Sequence, residues 1–216
     1  MKPNHHLDDS TLLAYAAGTL DEAFSVVAAA HVAVCPACRT AVRAAEALGG
    51  ELLDAAGSMA VSEDCRSKTF ASLEQAGLYR LPVAAPRSSL PRALAPLLPV
   101  TDLDALSWKK KAPGVAVFDV KLPASAKGQL RLLRIGAGRA MPEHGHGGEE
   151  ITMVLKGAYI DHMGRFAAGD VADLDEEIEH RPVVEQDCDC ICLVATERPT
   201  RFKSIAARLM QPFVGI

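Results

Sequence analysis

The chain has 216 residues, 49% of them hydrophobic and 5% aromatic, with a formal net charge of −4. This is the make-up of a folded protein of one or two domains, which excludes a disordered chain, and no run approaches the ~18 apolar residues of a membrane span. Residues 1–75 carry five basic against ten acidic side chains, a balance near −5 that argues against a nucleic-acid-binding face and suits a basic partner.

The polar opening Lys2-Pro3-Asn4-His5-His6 has no apolar export core, so a cytoplasmic protein is expected. Six cysteines then fit metal and thiol chemistry better than a disulfide framework. Asp8-Asp9-Ser10 offers an N-cap and acidic first turn for a helix through Leu12, Leu13 and Tyr15 that stops near Gly18. Thr19-x-x-Glu22 reads as a capping box opening a second helix, with Phe24, Val27, Ala28, His31 and Cys35 on one face. Val26, Val32 and Val34 lie off that stripe, as further core or as a docking surface. Pro36 opens a third helix to about Leu48, restarting after Gly49-Gly50. A fourth covers roughly Ser62 to Gln75, with Cys65 a bystander.

Within these helices His31-x3-Cys35-x2-Cys38 has the spacing of a zinc half-site. Residues four apart share a helix face, so His31 and Cys35 project side by side. Cys38 falls in the first turn after Pro36, where the helix N-terminus is expected to lower its pKa. A redox dithiol, or two small buried residues, would not need the histidine four positions earlier. Structural zinc takes four ligands, and His5 or His6 is the nearest source of the fourth. A core this thin is expected to fold only with its metal.

From Gly77 to Pro99 five prolines and Ser88-Ser89 read as a semi-stiff linker. Short strands follow: Val115–Val120, Gln129–Ile135, Ile151–Leu155 and Cys188–Ala195, with glycines at or near their ends, the pattern of an antiparallel sandwich or barrel. Between two of them His144 and His146 point to one face of an extended segment, and Glu150 enters the next strand. Two imidazoles and a carboxylate converging from adjoining strands make a divalent-metal site, where solvated loop histidines are the plain alternative. His180 is the sensible completing ligand, because His162 sits in a hairpin turn beside Gly164. Cys188, Cys190 and Cys192 alternate along one strand face, either as small residues filling the interior or as a redox relay.

The string Gly138-x5-His144-x-His146-x3-Glu150-x6-Gly157 resembles the first cupin motif at every fixed position. Gly169-Asp170 resembles the turn of the second, although Ala167 replaces its usual proline and His180 follows Gly169 by eleven residues rather than about three. The longer spacing through Ala172-Asp-Leu-Asp-Glu-Glu-Ile-Glu-His180-Arg-Pro is similar to that of one cupin branch, the ChrR-type anti-sigma factors. Those proteins join a zinc-binding H-x3-C-x2-C domain to a C-terminal cupin. Tyr15-Ala-Ala-Gly-Thr-Leu20, the linker and the tail Gln211-Pro212 extend the resemblance over nearly the whole chain.

The resemblance implies a multidomain α + β fold. An N-terminal zinc-bound bundle of about four helices (1–76) would be followed by a linker (77–99) and a C-terminal antiparallel β-barrel or jelly roll (100–216). It implies His6, His31, Cys35 and Cys38 as ligands of one zinc, and His144, His146, Glu150 and His180 as ligands of a second ion, Zn2+ or alternatively Mn2+ or Fe2+. It also implies a regulator rather than an enzyme. Such a protein sequesters an extracytoplasmic-function (group IV) sigma factor and releases it under oxidative stress, notably singlet oxygen, with no direct DNA or membrane binding. Without sigma its apolar faces would pair weakly with a second copy. Two other readings use the same residues: a cupin dioxygenase or isomerase with a regulatory zinc domain, and a zinc-finger DNA-binding regulator, which the acidic N-terminal region disfavours.

Overall fold

The structure is a computed structural model and describes residues 2–75 and 90–202, with only the backbone of Gln75, Arg201 and Phe202. Most of the expected linker (77–89) and the tail with Gln211-Pro212 lie outside the described residues.

Helix α1 (Asp9–Ala16) starts after extended Asp8 and ends before Gly18, whose φ of 68° favours glycine. Helix α2 (Glu22–Val34) is capped by Asp21 rather than by the Thr19 box. The Asp21 carboxylate accepts from the Ala23 N–H at 3.1 Å, while the Thr19 hydroxyl turns back to the Ala14 carbonyl. Asp21 reaches further than a cap, accepting from the Lys127 and Gly128 amides at 2.8 and 3.2 Å. Burial would raise its pKa, but these N–H bonds outweigh that and hold it below the usual carboxylate value. Its stabilisation is therefore present above the unfolded value of about pH 4 and lost as pH falls through the lower folded value. Asp21→Ala is expected to lower stability by about 1–2 kcal/mol at neutral pH, with the difference from wild type vanishing in melts run in strong acid.

Cys35 ends α2 and caps α3 (Pro36–Ala55), with Pro36 at the first helical turn and a bend of 115° between the two axes. Helix α3 runs through Gly49-Gly50 without the expected restart. Each glycine costs roughly 1 kcal/mol against alanine, and the Ala-, Leu- and Glu-rich flanks carry that cost. Only Cys38 and Val42 of α3 are buried, so its second half stands out from the body. Helix α4 (Cys65–Gln75) begins three residues later than expected, with Cys65 half-buried and the other described side chains exposed. Among the described residues no single helix is long and apolar enough to cross a membrane.

Residues 90–98, the end of the expected linker, fold into turns and bury Leu90, Leu94 and Leu98. Twelve strands follow: β1 (Lys109–Ala112), β2 (Val115–Val120), β3 (Gln129–Ile135), β4 (His144–Gly145), β5 (Glu150–Lys156), β6 (Ala158–Asp161), β7 (Gly164–Ala167), β8 (Val171–Leu174), β9 (Glu179–His180), β10 (Val183–Val184), β11 (Cys190–Thr196) and β12 (Arg201–Phe202). All their pairings are antiparallel. A six-stranded sheet in the order β1-β2-β3-β11-β5-β8 accompanies two three-stranded sheets, β10-β6-β7 and β12-β4-β9. The ladders do not run on from sheet to sheet, so of the two forms expected, sandwich or barrel, the domain takes the antiparallel sandwich.

The alternation along the large sheet builds two cores. Ile135, Val154, Cys190 and Cys192 face inward with Tyr159, Phe166 and Val184. Leu130, Leu132, Ile151, Met153, Ile191 and Leu193 face outward and join one continuous cluster with Phe24, Val27 and Ala28 of α2. Val26 and Val32 pack against that cluster, whereas Val34 is exposed. The helices and the sandwich therefore share a core.

Candidate metal centres

Two groups of metal-type side chains converge among the described residues: His6, His31, Cys35 and Cys38, and His144, His146 and His180. In each the potential ligand atoms all lie within 4.8 Å of one another.

The first centre is built at the α2–α3 corner. His31 is the last-turn histidine of α2, Cys35 is the corner itself and Cys38 lies one turn into α3, all three buried. His6 arrives from the segment ahead of α1: its Nδ1 is 3.2 Å from Cys35 Sγ and 3.7 Å from Cys38 Sγ, and His31 Nε2 is 3.3 Å from Cys38 Sγ. A tetrahedral zinc, with bonds of about 2.3 Å to sulfur and 2.0–2.1 Å to nitrogen, sets S and N about 3.5 Å apart, so the donor set fits the ion. His5, the other candidate, points away, with its ring 3.9 Å from that of Phe166 and its Nε2 3.1 Å from the Arg165 carbonyl.

Cys38 departs from expectation in its acidity. Burial, reinforced by the neighbouring Cys35, pushes its thiol up to about 11, against the lowering expected from the helix N-terminus. The Cys38 amide, which lies where the helix N-terminus has donors to spare, bonds to Cys35 Sγ at 3.5 Å instead. A thiol held this way ionises at neutral pH when a cation displaces its proton. Burial likewise lowers the His31 pKa, keeping the imidazole neutral and its lone pair free.

The second centre is set by strand register. His144 of β4 pairs directly with His180 of β9, which brings their Nε2 atoms to 3.1 Å. His146 follows two residues later on the same side. In each ring Nδ1 is anchored: His144 on the Pro142 carbonyl at 2.8 Å, His180 on the Asp161 carboxylate at 3.0 Å and His146 on Glu150 Oε2 at 3.2 Å. The anchoring aims three Nε2 atoms at one place, the usual way an outer shell fixes ligand tautomers. His146 Nε2 is fully buried with no hydrogen-bond partner, an orphan that a cation would satisfy.

Glu150 lies outside the tight group of ligand atoms, beside His146, with Oε1 accepting from the Thr152 hydroxyl at 3.0 Å. Burial pushes its pKa up, but the His146 contact and the three imidazoles outweigh that and keep it ionised. Burial and His180 lower His144 to about 4, so its ring is neutral at physiological pH. An ionised carboxylate beside three buried imidazoles is a donor set that favours a divalent cation.

Above the rings a mostly apolar cavity is lined by Val117, Leu133, Ile135, Tyr159 and Val194. Cys190 and Cys192 face inward with their sulfurs 3.6 Å apart, while Cys188 precedes the strand and is exposed. His162 occupies the β6–β7 hairpin turn, as expected. Asp161 was not foreseen as the anchor of His180; the signal was its place at the end of β6, opposite Gly164.

The family described as the ChrR cupin-like domain matches residues 99–199. The anti-sigma-E factor ChrR of Cereibacter sphaeroides is 43% identical over 218 aligned residues, covering the whole of both chains. The crystal structure of Rhodobacter sphaeroides SigE in complex with the anti-sigma ChrR contains a chain 39% identical, with TM-score 0.74, covering 91% of this chain and 99% of that one. An RmlC-like cupin protein of Ralstonia eutropha JMP134 is similar at 20% identity and TM-score 0.41, over 53% of this chain and 83% of that one. With a relative this similar from end to end, the chain belongs to the ChrR family of anti-sigma factors.

Proposed function

We propose that the chain is a zinc-dependent anti-sigma factor that captures an extracytoplasmic-function sigma factor and releases it under oxidative stress of the singlet-oxygen kind. The observation that carries the capture is the projecting half of α3 with α4, where Leu48, Leu52, Leu53, Phe70 and Leu73 are each more than half exposed. An apolar surface of this extent on an acidic helical unit suits a partner that is basic where it meets DNA. The relative crystallised with SigE supports that partner. Without sigma the same surface would pair weakly with a second copy.

In this reading residues 1–76 are the sigma-binding unit, 77–99 the connection and 100–216 the sensor, in a cytoplasmic protein that touches neither DNA nor membrane. His6, His31, Cys35 and Cys38 hold zinc; four protein ligands leave no open position, so the metal shapes the unit rather than catalysing. His144, His146 and His180, with Glu150 as their carboxylate, hold zinc, manganese or iron, and this second centre is where the stress signal enters. The cupin is a sensor and not an enzyme. One feature favours a cupin metalloenzyme instead, the cavity beside the histidines, and turnover of a small substrate by the metal-loaded protein would mark it.

The test is co-purification with the host's group IV sigma factor. Capture is expected from the zinc-loaded protein and is expected to fail after prolonged chelation; capture that survives complete metal removal would refute the zinc dependence. His144→Ala with His180→Ala is expected to leave capture intact and abolish release by a singlet-oxygen generator. Unchanged release by that variant would remove the sensing role.

A further inference from the structure

The turn between β7 and β8, Ala167 to Asp170, belongs to the cupin by sequence but touches the helical metal centre. The Gly169 carbonyl lies 2.9 Å from His31 Nδ1, the ring nitrogen turned away from the sulfurs. The buried Asp170 carboxylate accepts from the Asn4 and His5 amides at 2.6 and 3.1 Å with one oxygen, and from the Ala167 amide at 2.9 Å with the other. One bond thus sets the tautomer and tilt of one ligand, and two more pin the backbone immediately ahead of another, His6. Gly169 has φ +99°, a backbone conformation that favours glycine, and the Pro3 ring of the N-terminal segment lies within van der Waals reach of it.

The turn is itself held by β5: the Gly169 amide donates to the Val154 carbonyl and the Val154 amide donates to the Asp170 carbonyl, at 2.9 and 3.0 Å. A second contact runs through rings. His5 stacks on Phe166, and Phe166 stacks on Tyr159 at 4.9 Å between centroids, with Tyr159 lining the cavity above the histidine centre. Neither connection needs a ligand to cross between domains.

We propose that the cupin's Gly169-Asp170 turn is the outer shell of the helical thiolate centre, so that this centre holds its metal tightly only while the turn is seated against Asn4, His5 and His31. Outer-shell partners fix the orientation and basicity of metal ligands, and their loss typically weakens metal binding about 10–100-fold. Coupling of this kind is reciprocal: metal in the helical centre also holds the cupin turn in place.

The proposal rests on the zinc reading of His6, His31, Cys35 and Cys38, and cobalt substitution of the full-length chain separates the two. Only that centre has thiolate ligands, so thiolate-to-cobalt charge-transfer absorption reports it alone. In competition with a chromophoric chelator, Asp170→Asn is expected to weaken the thiolate centre by roughly 10–100-fold and leave the histidine centre at wild-type affinity. His5→Ala, which keeps every ligand and removes only a ring at the surface of the N-terminal segment, is expected to weaken it several-fold. Glu185→Gln, on a surface pair with Arg165, is expected to change neither centre.

Wild-type affinity at the thiolate centre in both Asp170→Asn and His5→Ala overturns the proposal. Parallel weakening of both centres overturns it too, because that is the mark of a loosened fold. If Asp170→Asn does not fold, His5→Ala decides. Absence of any thiolate–cobalt band in the wild-type protein removes the zinc reading itself, and the proposal with it.

Discussion

Cys35→Ser is expected to lose one of the two metal equivalents, part of the far-UV helical signal and essentially all sigma capture. Cys35 is both a proposed sulfur donor and the residue at which α2 turns through 115° into α3. Beyond that corner α3 contributes only Cys38 and Val42 to the core, and α1 only Leu12. Apolar burial on this scale, at about 1.5–3 kcal/mol per large side chain, does not offset the entropy of ordering two helices, at ~1–2 kcal/mol per residue of backbone. Structural zinc in small domains supplies apparent binding free energies of about 10–16 kcal/mol, more than those few buried side chains supply together. Serine keeps the size and the cap but not the soft thiolate. Helix α2 is also held by the sheet through Phe24, Val27 and Ala28, so the expected loss falls on α1 and α3 rather than on the whole chain. Metal analysis, circular dichroism and sigma pull-down on the same preparation check the three effects. A variant with one metal equivalent that captures sigma at wild-type strength would refute the role.

A double substitution on α4, Phe70→Asp with Leu73→Asp, should do the converse and abolish capture while leaving the melt and metal content alone. Phe70 is 57% and Leu73 64% exposed, so neither contributes to the core of the free protein. A buried aromatic anchor at an interface is typically worth 2 kcal/mol or more, about 30-fold in affinity, and burying an unpaired carboxylate in its place costs further. A drop of at least about 100-fold in sigma affinity is therefore expected from titration calorimetry. The cation–π contact of Arg66 over the Phe70 ring, at 5.8 Å, is also lost, but on an exposed helix that is a minor effect. Unchanged affinity would move the capture surface away from α4.

Much of this was readable from the chain because the signals were local. Strands β2 and β3 begin and end where the alternation of apolar residues between glycines places them, and His31, Cys35 and Cys38 were legible from spacing that a helix and a proline corner convert directly into proximity. What could not be read was decided by groups distant in sequence. Asp21 outcompetes Thr19 as a cap because it also serves Lys127 and Gly128, more than a hundred residues away. His6 rather than His5 reaches the sulfurs because Phe166 and Asp170 hold its neighbour. Leu90, Leu94 and Leu98 looked like spacer among prolines, but the outer face of the sheet gives them apolar surface to cover. The contact of His31 with Gly169 had no signature at all, since its acceptor is a backbone carbonyl.

The core shared by α2 and the large sheet bears on how such a protein can be re-engineered. A modular regulator would allow its sensor to be exchanged by cutting the chain in the proline-rich segment and grafting another cupin. Here the graft would leave Phe24, Val27 and Ala28 facing a foreign surface and would strip Asp21 of its two loop amides. A workable chimera must carry across the outward residues Leu130, Leu132, Ile151 and Leu193 together with the Lys127-Gly128 loop, so the unit of exchange is a matched face and not a stretch of chain.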